Sequence, residues 1–156
     1  MKGNTKLLAV LNDLLADELT AINQYVVHGE MAENWGYGKL KKLVGGRAIT
    51  EMKHAEKLIE RILFLEGTPI VSNLNKIRIG ADIPKQFAND LDAEMSAVCN
   101  YNKAIKVAME ASDNATKEML EAILKDEDSH VNQIEEKLDQ IKQMGVQNFL
   151  AIQTGE

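Results

Sequence analysis

The chain has 156 residues, 45% hydrophobic and 27% charged, which suits one soluble globular domain over residues 1–156 and excludes a disordered chain. A net charge of -6 argues against nucleic acid as a partner, because binding phosphates needs a basic face. The single cysteine, Cys99, excludes an intramolecular disulfide and a CxxC motif and is expected to be a small buried residue. No stretch approaches the roughly 18 apolar residues of a membrane span, and the opening MKGNTKLLAV lacks the pattern of a signal peptide. A cytoplasmic location is therefore expected.

Glycine and proline punctuate the chain. A first helix is predicted from about Thr5 to Asn34, with apolar residues at helical spacing (Leu7, Leu8, Leu11, Leu14, Leu15, Leu19, Ile22, Val26). Trp35-Gly36-Tyr37-Gly38 breaks it, and Trp35 is expected to pack this turn. A second helix from about Lys39 stops at Glu66, where Gly67-Thr68-Pro69 supplies a glycine-then-proline ending. Residues 67–82 form a long connection. A third helix starts at Ile83-Pro84, with proline in its first turn, and runs to about Ala111. Ser112-Asp113-Asn114 reads as a tight capping turn. A fourth helix ends at Met144-Gly145, and a short fifth follows over about 146–152. Joints that are short, long and short predict an all-α four-helix bundle with one long crossover, the connectivity of ferritin-like folds.

Two of the three histidines, His54 and His130, have a glutamate three residues before them, Glu51 and Glu127, on the same helix face. Glu18 precedes Glu51 by 33 residues, and Glu94 precedes Glu127 by the same interval. The two sets are 76 residues apart throughout, and Tyr25 and Tyr101 keep that offset. A lone Glu-x-x-His is weak evidence, since helices carry many surface glutamates. Two copies in register, each with its upstream glutamate, describe an internal repeat of a helix pair. One Glu from each of two helices and Glu-x-x-His from the others is the ligand pattern of di-iron carboxylate bundles. Four converging carboxylates are costly to bury unpaired, and two Fe²⁺ ions cancel their charge. Carboxylate and imidazole ligands in this number suit Fe or Mn better than Zn. Glu51 and Glu127 are expected to bridge two ions. Glu18 with His54 completes one position, and Glu94 with His130 the other. Ions roughly 3.5–4 Å apart can share one molecule of oxidant, O₂ or H₂O₂.

The stretches MKGNTK, AINQY, NWG, EMKHAEKLIERILFLEGTP, DEDSH and QMGVQNFLAIQ resemble bacterioferritin over essentially the whole chain. The resemblance implies a ferroxidase that stores ferric mineral inside a 24-subunit shell built of dimers. It also implies haem b shared between two subunits, with Met52 as axial ligand and Ile22, Asn23 and Ile49 as its neighbours. Met52 lies round the helix from Glu51 and His54, on a flank a partner subunit can cover, although a flank methionine is also ordinary packing. The resemblance gives Tyr25 a hydrogen bond to a bridging carboxylate and a role as electron donor; the plain alternative is a core tyrosine with a satisfied hydroxyl. Tyr101 has the same spacing with less support. His28 has no acid at ligand spacing and reads as structural or surface.

One segment departs from the resemblance: Val44-Gly45-Gly46-Arg47-Ala48-Ile49-Thr50 stands where relatives carry aromatic and acidic or histidine residues. It removes support for an auxiliary iron site facing the cavity. It invites a kink in the second helix and places Arg47 to pair with a ligand carboxylate. It fits a specialised subunit that co-assembles with a second type, or neutral drift. The competing class is a stand-alone di-iron oxidase or peroxidase of the rubrerythrin kind, although one cysteine excludes the CxxC module such proteins usually carry.

Overall fold

The computed structural model describes all residues, 1–156. Five helices form: α1 Thr5–Asn34, α2 Gly38–Phe64, α3 Ile83–Glu110, α4 Asn114–Met144 and α5 Val146–Ala151. Three starts are capped by short polar side chains that accept an orphan backbone N–H: Asn4 from Leu7 (3.0 Å), Asp82 from Lys85 (2.8 Å) and Asp113 from Thr116 (3.0 Å). Pro84 stands in the first turn of α3, where its missing N–H costs nothing.

The end of α2 differs from expectation. Glu66, not Gly67, takes the left-handed conformation, with φ 60°. A Cβ on Gly67 would come 2.6 Å from a Leu8 methyl and 3.1 Å from Ile62 Cγ2, so this glycine packs closely against α1 and any larger residue would have to displace the Leu8 side chain. The α2 hydrogen-bonded run is unbroken through Gly45 and Gly46.

The helices pack mainly as α1 on α2 and α3 on α4, with α1 also lying along α3. Two apolar clusters fill the bundle ends. Leu7, Leu11, Leu58, Ala104 and Leu120 belong to the larger. Ala32, Leu40, Phe87, Ile134 and Phe149 form the other, so α5 closes that end of the bundle through Phe149. Between the clusters along each long helix falls one inward glutamate: Glu18, Glu51, Glu94 or Glu127.

The crossover runs up the outside of α1 in extended form, and its backbone N–H groups need acceptors. One stripe of α1 supplies them. Ile70 donates to Asn12 Oδ1 (2.9 Å), Asn75 to Thr20 Oγ1 (2.8 Å), Arg78 to Gln24 Oε1 (3.1 Å) and Gly80 to His28 Nε2 (3.0 Å). Accepting from Gly80 puts the proton of His28 on Nδ1, which donates to Asp90 Oδ1 (2.9 Å). His28 is therefore structural and fully buried. No helix is long and apolar enough to cross a membrane.

Candidate metal centre

Helical spacing alone brings Glu51 and His54 to one face of α2, and Glu127 and His130 to one face of α4. The bundle turns both faces inward against Glu18 of α1 and Glu94 of α3. All six side chains are buried. They form two overlapping groups whose candidate ligand atoms lie within 4.8 Å of one another: Glu18, Glu51, His54 and Glu127, then Glu51, Glu94, Glu127 and His130.

Glu51 and Glu127 belong to both groups, and each divides its oxygens between them. Glu51 Oε2 lies 2.9 Å from His54 Nδ1 and its Oε1 lies 2.9 Å from His130 Nδ1. Glu127 Oε1 lies 3.0 Å from His54 Nδ1 and its Oε2 lies 3.4 Å from His130 Nδ1. Glu18 approaches only His54 (3.6 Å) and Glu94 only His130 (3.3 Å). Glu51 and Glu127 are thus shared by the two groups, and Glu18 and Glu94 belong to one each.

The protein's own groups do not satisfy this cluster. Glu18 Oε2 and Glu94 Oε2 are buried without a hydrogen-bond partner, and Glu51 Oε1, Glu127 Oε1 and His130 Nδ1, although within 2.9–3.0 Å of an opposing ring nitrogen or oxygen, meet it at angles that make no hydrogen bond. Orphaned buried polar atoms are rare in folded proteins, and their convergence here fits a bound cation. Burial, and then the neighbouring Glu51 carboxylate, push the Glu18 carboxyl well above its ordinary range. Burial and then Glu127 push Glu94 up to about 7. Burial opposes charge on both imidazoles, but the surrounding carboxylates outweigh it. His54 is raised by Glu127, Glu18 and Glu51, and His130 is pushed up to about 11 by Glu127, Glu51 and Glu94.

A pH dependence follows. Both imidazoles hold a proton at neutral pH, and a metal must displace it to use the ring nitrogen. Loading with a divalent cation is expected to release protons near pH 7, from both imidazoles and from the raised carboxyls of Glu18 and Glu94. Because the bound protons compete with metal, affinity should rise as pH rises through neutrality and weaken on acidification. Titration of Co²⁺ or Zn²⁺ into weakly buffered protein with a pH indicator measures this directly.

Three surrounding residues were placed differently, or not at all, by the sequence. Tyr25 donates its hydroxyl to Glu94, which belongs to one ligand group, and not to Glu51 or Glu127, which belong to both and were expected to bridge. Asp126, to which the sequence reading gave no role, accepts from His54 Nε2 at 2.8 Å, fixing that ring with Nδ1 toward the cluster. The repeat offset puts Thr50 opposite Asp126, so His130 lacks the matching acid. Arg47 reaches no ligand carboxylate. It points away to Asp90, with nitrogen and oxygen 3.6 Å apart, and lies over the Tyr25 ring at 5.1 Å. Met52 and Ile49 stand exposed on α2, clear of the cluster, as a flank position requires. Cys99 is exposed on α3, contrary to the expectation of burial, and Trp35 is 39% exposed beside its turn.

A cleft of about 310 Å³ beside crossover residues Asn75, Lys76 and Arg78 leads in to Glu18, Glu51, Glu94 and Glu127.

The model of the ferritin-like domain matches residues 8–144. The chain is 36% identical to the bacterioferritin of Mycolicibacterium paratuberculosis, over 97% of this chain and 95% of that one. It is 39% identical to a bacterial ferritin of Synechocystis, over 98% and 99% of the two chains. It is 35% identical to the bacterioferritin of Brucella melitensis, over 96% and 92%. A helical bundle with one crossover, a buried cluster of four glutamates and two histidines, and full-length similarity place this chain in the bacterioferritin family of ferritin-like proteins.

Proposed function

We propose that the chain is an iron-storage subunit that oxidises Fe²⁺ at a di-iron centre within its own bundle. The observation that carries this reading is the pair of overlapping ligand groups sharing Glu51 and Glu127, with orphaned atoms aimed between them. Two divalent cations offset the charge of four carboxylates, and adjacent ferrous ions can each give one electron to a common O₂ or H₂O₂ molecule. Oxidised iron then passes to a mineral store inside a 24-subunit cytoplasmic shell built of dimers. Two relatives carry the name bacterioferritin and one the name bacterial ferritin, which supports storage as the outcome of the oxidation. We take residues 1–156 as one such subunit, without nucleic-acid or membrane partners. It assembles with its own kind or with a second subunit type.

The test is anaerobic Fe²⁺ loading followed by oxygen, with assembly mass measured on the same sample. Storage predicts a large assembly that takes up far more iron than its centres hold. A monomer or dimer that stops after two irons per subunit would instead indicate a stand-alone di-iron oxidase or peroxidase.

The same reading assigns Met52 to haem b shared across a dimer. Met52 and Ile49 stand exposed on α2, apolar side chains that suit a porphyrin edge and a partner. A thioether ligand on iron would set the haem's potential, and the haem would supply electron transfer. Met52→Leu keeps the apolar surface and removes the sulfur. It is expected to yield folded protein whose haem absorption is lost, while two divalent ions per subunit still bind.

A further inference from the structure

We infer that Tyr101 is a second positioning residue of the metal centre, acting on Glu18 as Tyr25 acts on Glu94. The inference rests on the di-iron reading above and adds to it a residue outside the six ligands. Tyr101 lies on α3 and donates its hydroxyl to Glu18 Oε1 of α1 at 2.6 Å. Tyr25 lies on α1 and donates to Glu94 Oε1 of α3. Each tyrosine thus comes from one half of the repeat and grips the terminal carboxylate of the other half. Both are fully buried.

The oxygens left over carry the argument. With Oε1 engaged by a tyrosine, Glu18 Oε2 and Glu94 Oε2 remain buried and unpartnered. A hydrogen bond on one oxygen fixes the carboxylate's rotation: in Glu18 it leaves Oε2, 3.6 Å from His54 Nδ1, as the ligand atom facing the cluster, whereas Glu94 presents its tyrosine-bound Oε1 to His130 Nδ1 at 3.3 Å. The hydrogen bond also favours the charged carboxylate, the form that binds a cation, against burial that disfavours it. Tyr101 is held for this task. Its ring is packed in the larger apolar cluster, so the hydroxyl has little freedom to turn elsewhere. A tyrosine merely filling the core would be satisfied by any acceptor; this one meets the single terminal ligand of the opposite half.

Positioning predicts a selective effect, which a general loss of stability would not produce. In a His130→Ala background, only the Glu18/His54 position keeps its imidazole. There, Tyr101→Phe should weaken Co²⁺ binding about tenfold, the value of one hydrogen bond to a charged group. Tyr25→Phe should leave that position unchanged. In a His54→Ala background the effects should exchange: Tyr25→Phe weakens binding and Tyr101→Phe does not. Co²⁺ absorption bands report affinity and ligand geometry without any turnover. Equal losses in both backgrounds, or no loss from Tyr101→Phe in the first, would overturn the assignment. If the unsubstituted protein binds fewer than two Co²⁺ per subunit, the di-iron reading fails and this assignment with it. Two Co²⁺ with no Tyr101 effect overturns the tyrosine assignment alone.

Discussion

Glu127→Ala is expected to slow Fe²⁺ oxidation by at least about 100-fold, because it removes a ligand common to both metal positions. Any other ligand except Glu51 serves only one. The substitution also takes from His54 and His130 a carboxylate at 3.0 and 3.4 Å, but Glu51 remains within 2.9 Å of both rings. The apoprotein should therefore keep its helical spectrum and assembly mass, which separates loss of the site from loss of the fold. Asp126→Ala provides the graded comparison. It leaves all six ligands and removes only the acceptor that orients His54, so a loss nearer tenfold is expected. Stopped-flow oxidation of Fe²⁺ measures both. Unchanged rates in Glu127→Ala would refute the centre.

The six-residue cluster was legible because helix geometry makes it so. Three-residue spacing commits Glu51 with His54, and Glu127 with His130, to common faces, and the repeat extends the argument to Glu18 and Glu94. Helix limits were legible for a similar reason, since Asn4, Asp82 and Asp113 cap locally. What stayed hidden depends on contacts between helices. Tyr25 meets Glu94 across 69 positions of sequence and Tyr101 meets Glu18 across 83, so spacing within one helix could not name either partner. Asp126 was adjacent to Glu127 in plain view, but its role requires α2 to bring His54 alongside. The rungs from Asn12, Thr20, Gln24 and His28 to the crossover were equally invisible, because an extended segment without periodicity gives no sign of what it lies on. Cys99 was misread from composition alone: cysteine is commonly buried, but its register on α3 turns it outward.

Arg47 leads to the largest expected effect on stability. Its guanidinium is buried, none of its three nitrogens has a hydrogen bond, and its ion-pair partner is the Asp90 carboxylate. Asp90 is itself buried, with Oδ1 accepting from Gln24 (2.8 Å) and His28 (2.9 Å) while Oδ2 faces Arg47. Asp90→Asn preserves an oxygen for those two donors and removes the charge. It should destabilise the protein by about 3–5 kcal/mol, the cost of breaking a buried pair and leaving one charge behind. For a domain of this size that lowers the melting temperature by roughly 10 °C, at fixed protein concentration. Arg47→Met should cost less, because Asp90 keeps the hydrogen bonds from Gln24 and His28, whereas Asp90→Asn leaves a buried guanidinium with no hydrogen bond and no opposite charge. The double substitution removes both charges and should lie closer to the unsubstituted protein than Asp90→Asn alone. The coupling between the two sites, read from the four melting curves, is therefore expected to be favourable and large. Additive losses would mean that Arg47 is held by its stacking on Tyr25 and not by Asp90. In that case Arg47→Met, and not Asp90→Asn, would be the variant that disturbs the tyrosine beside Glu94.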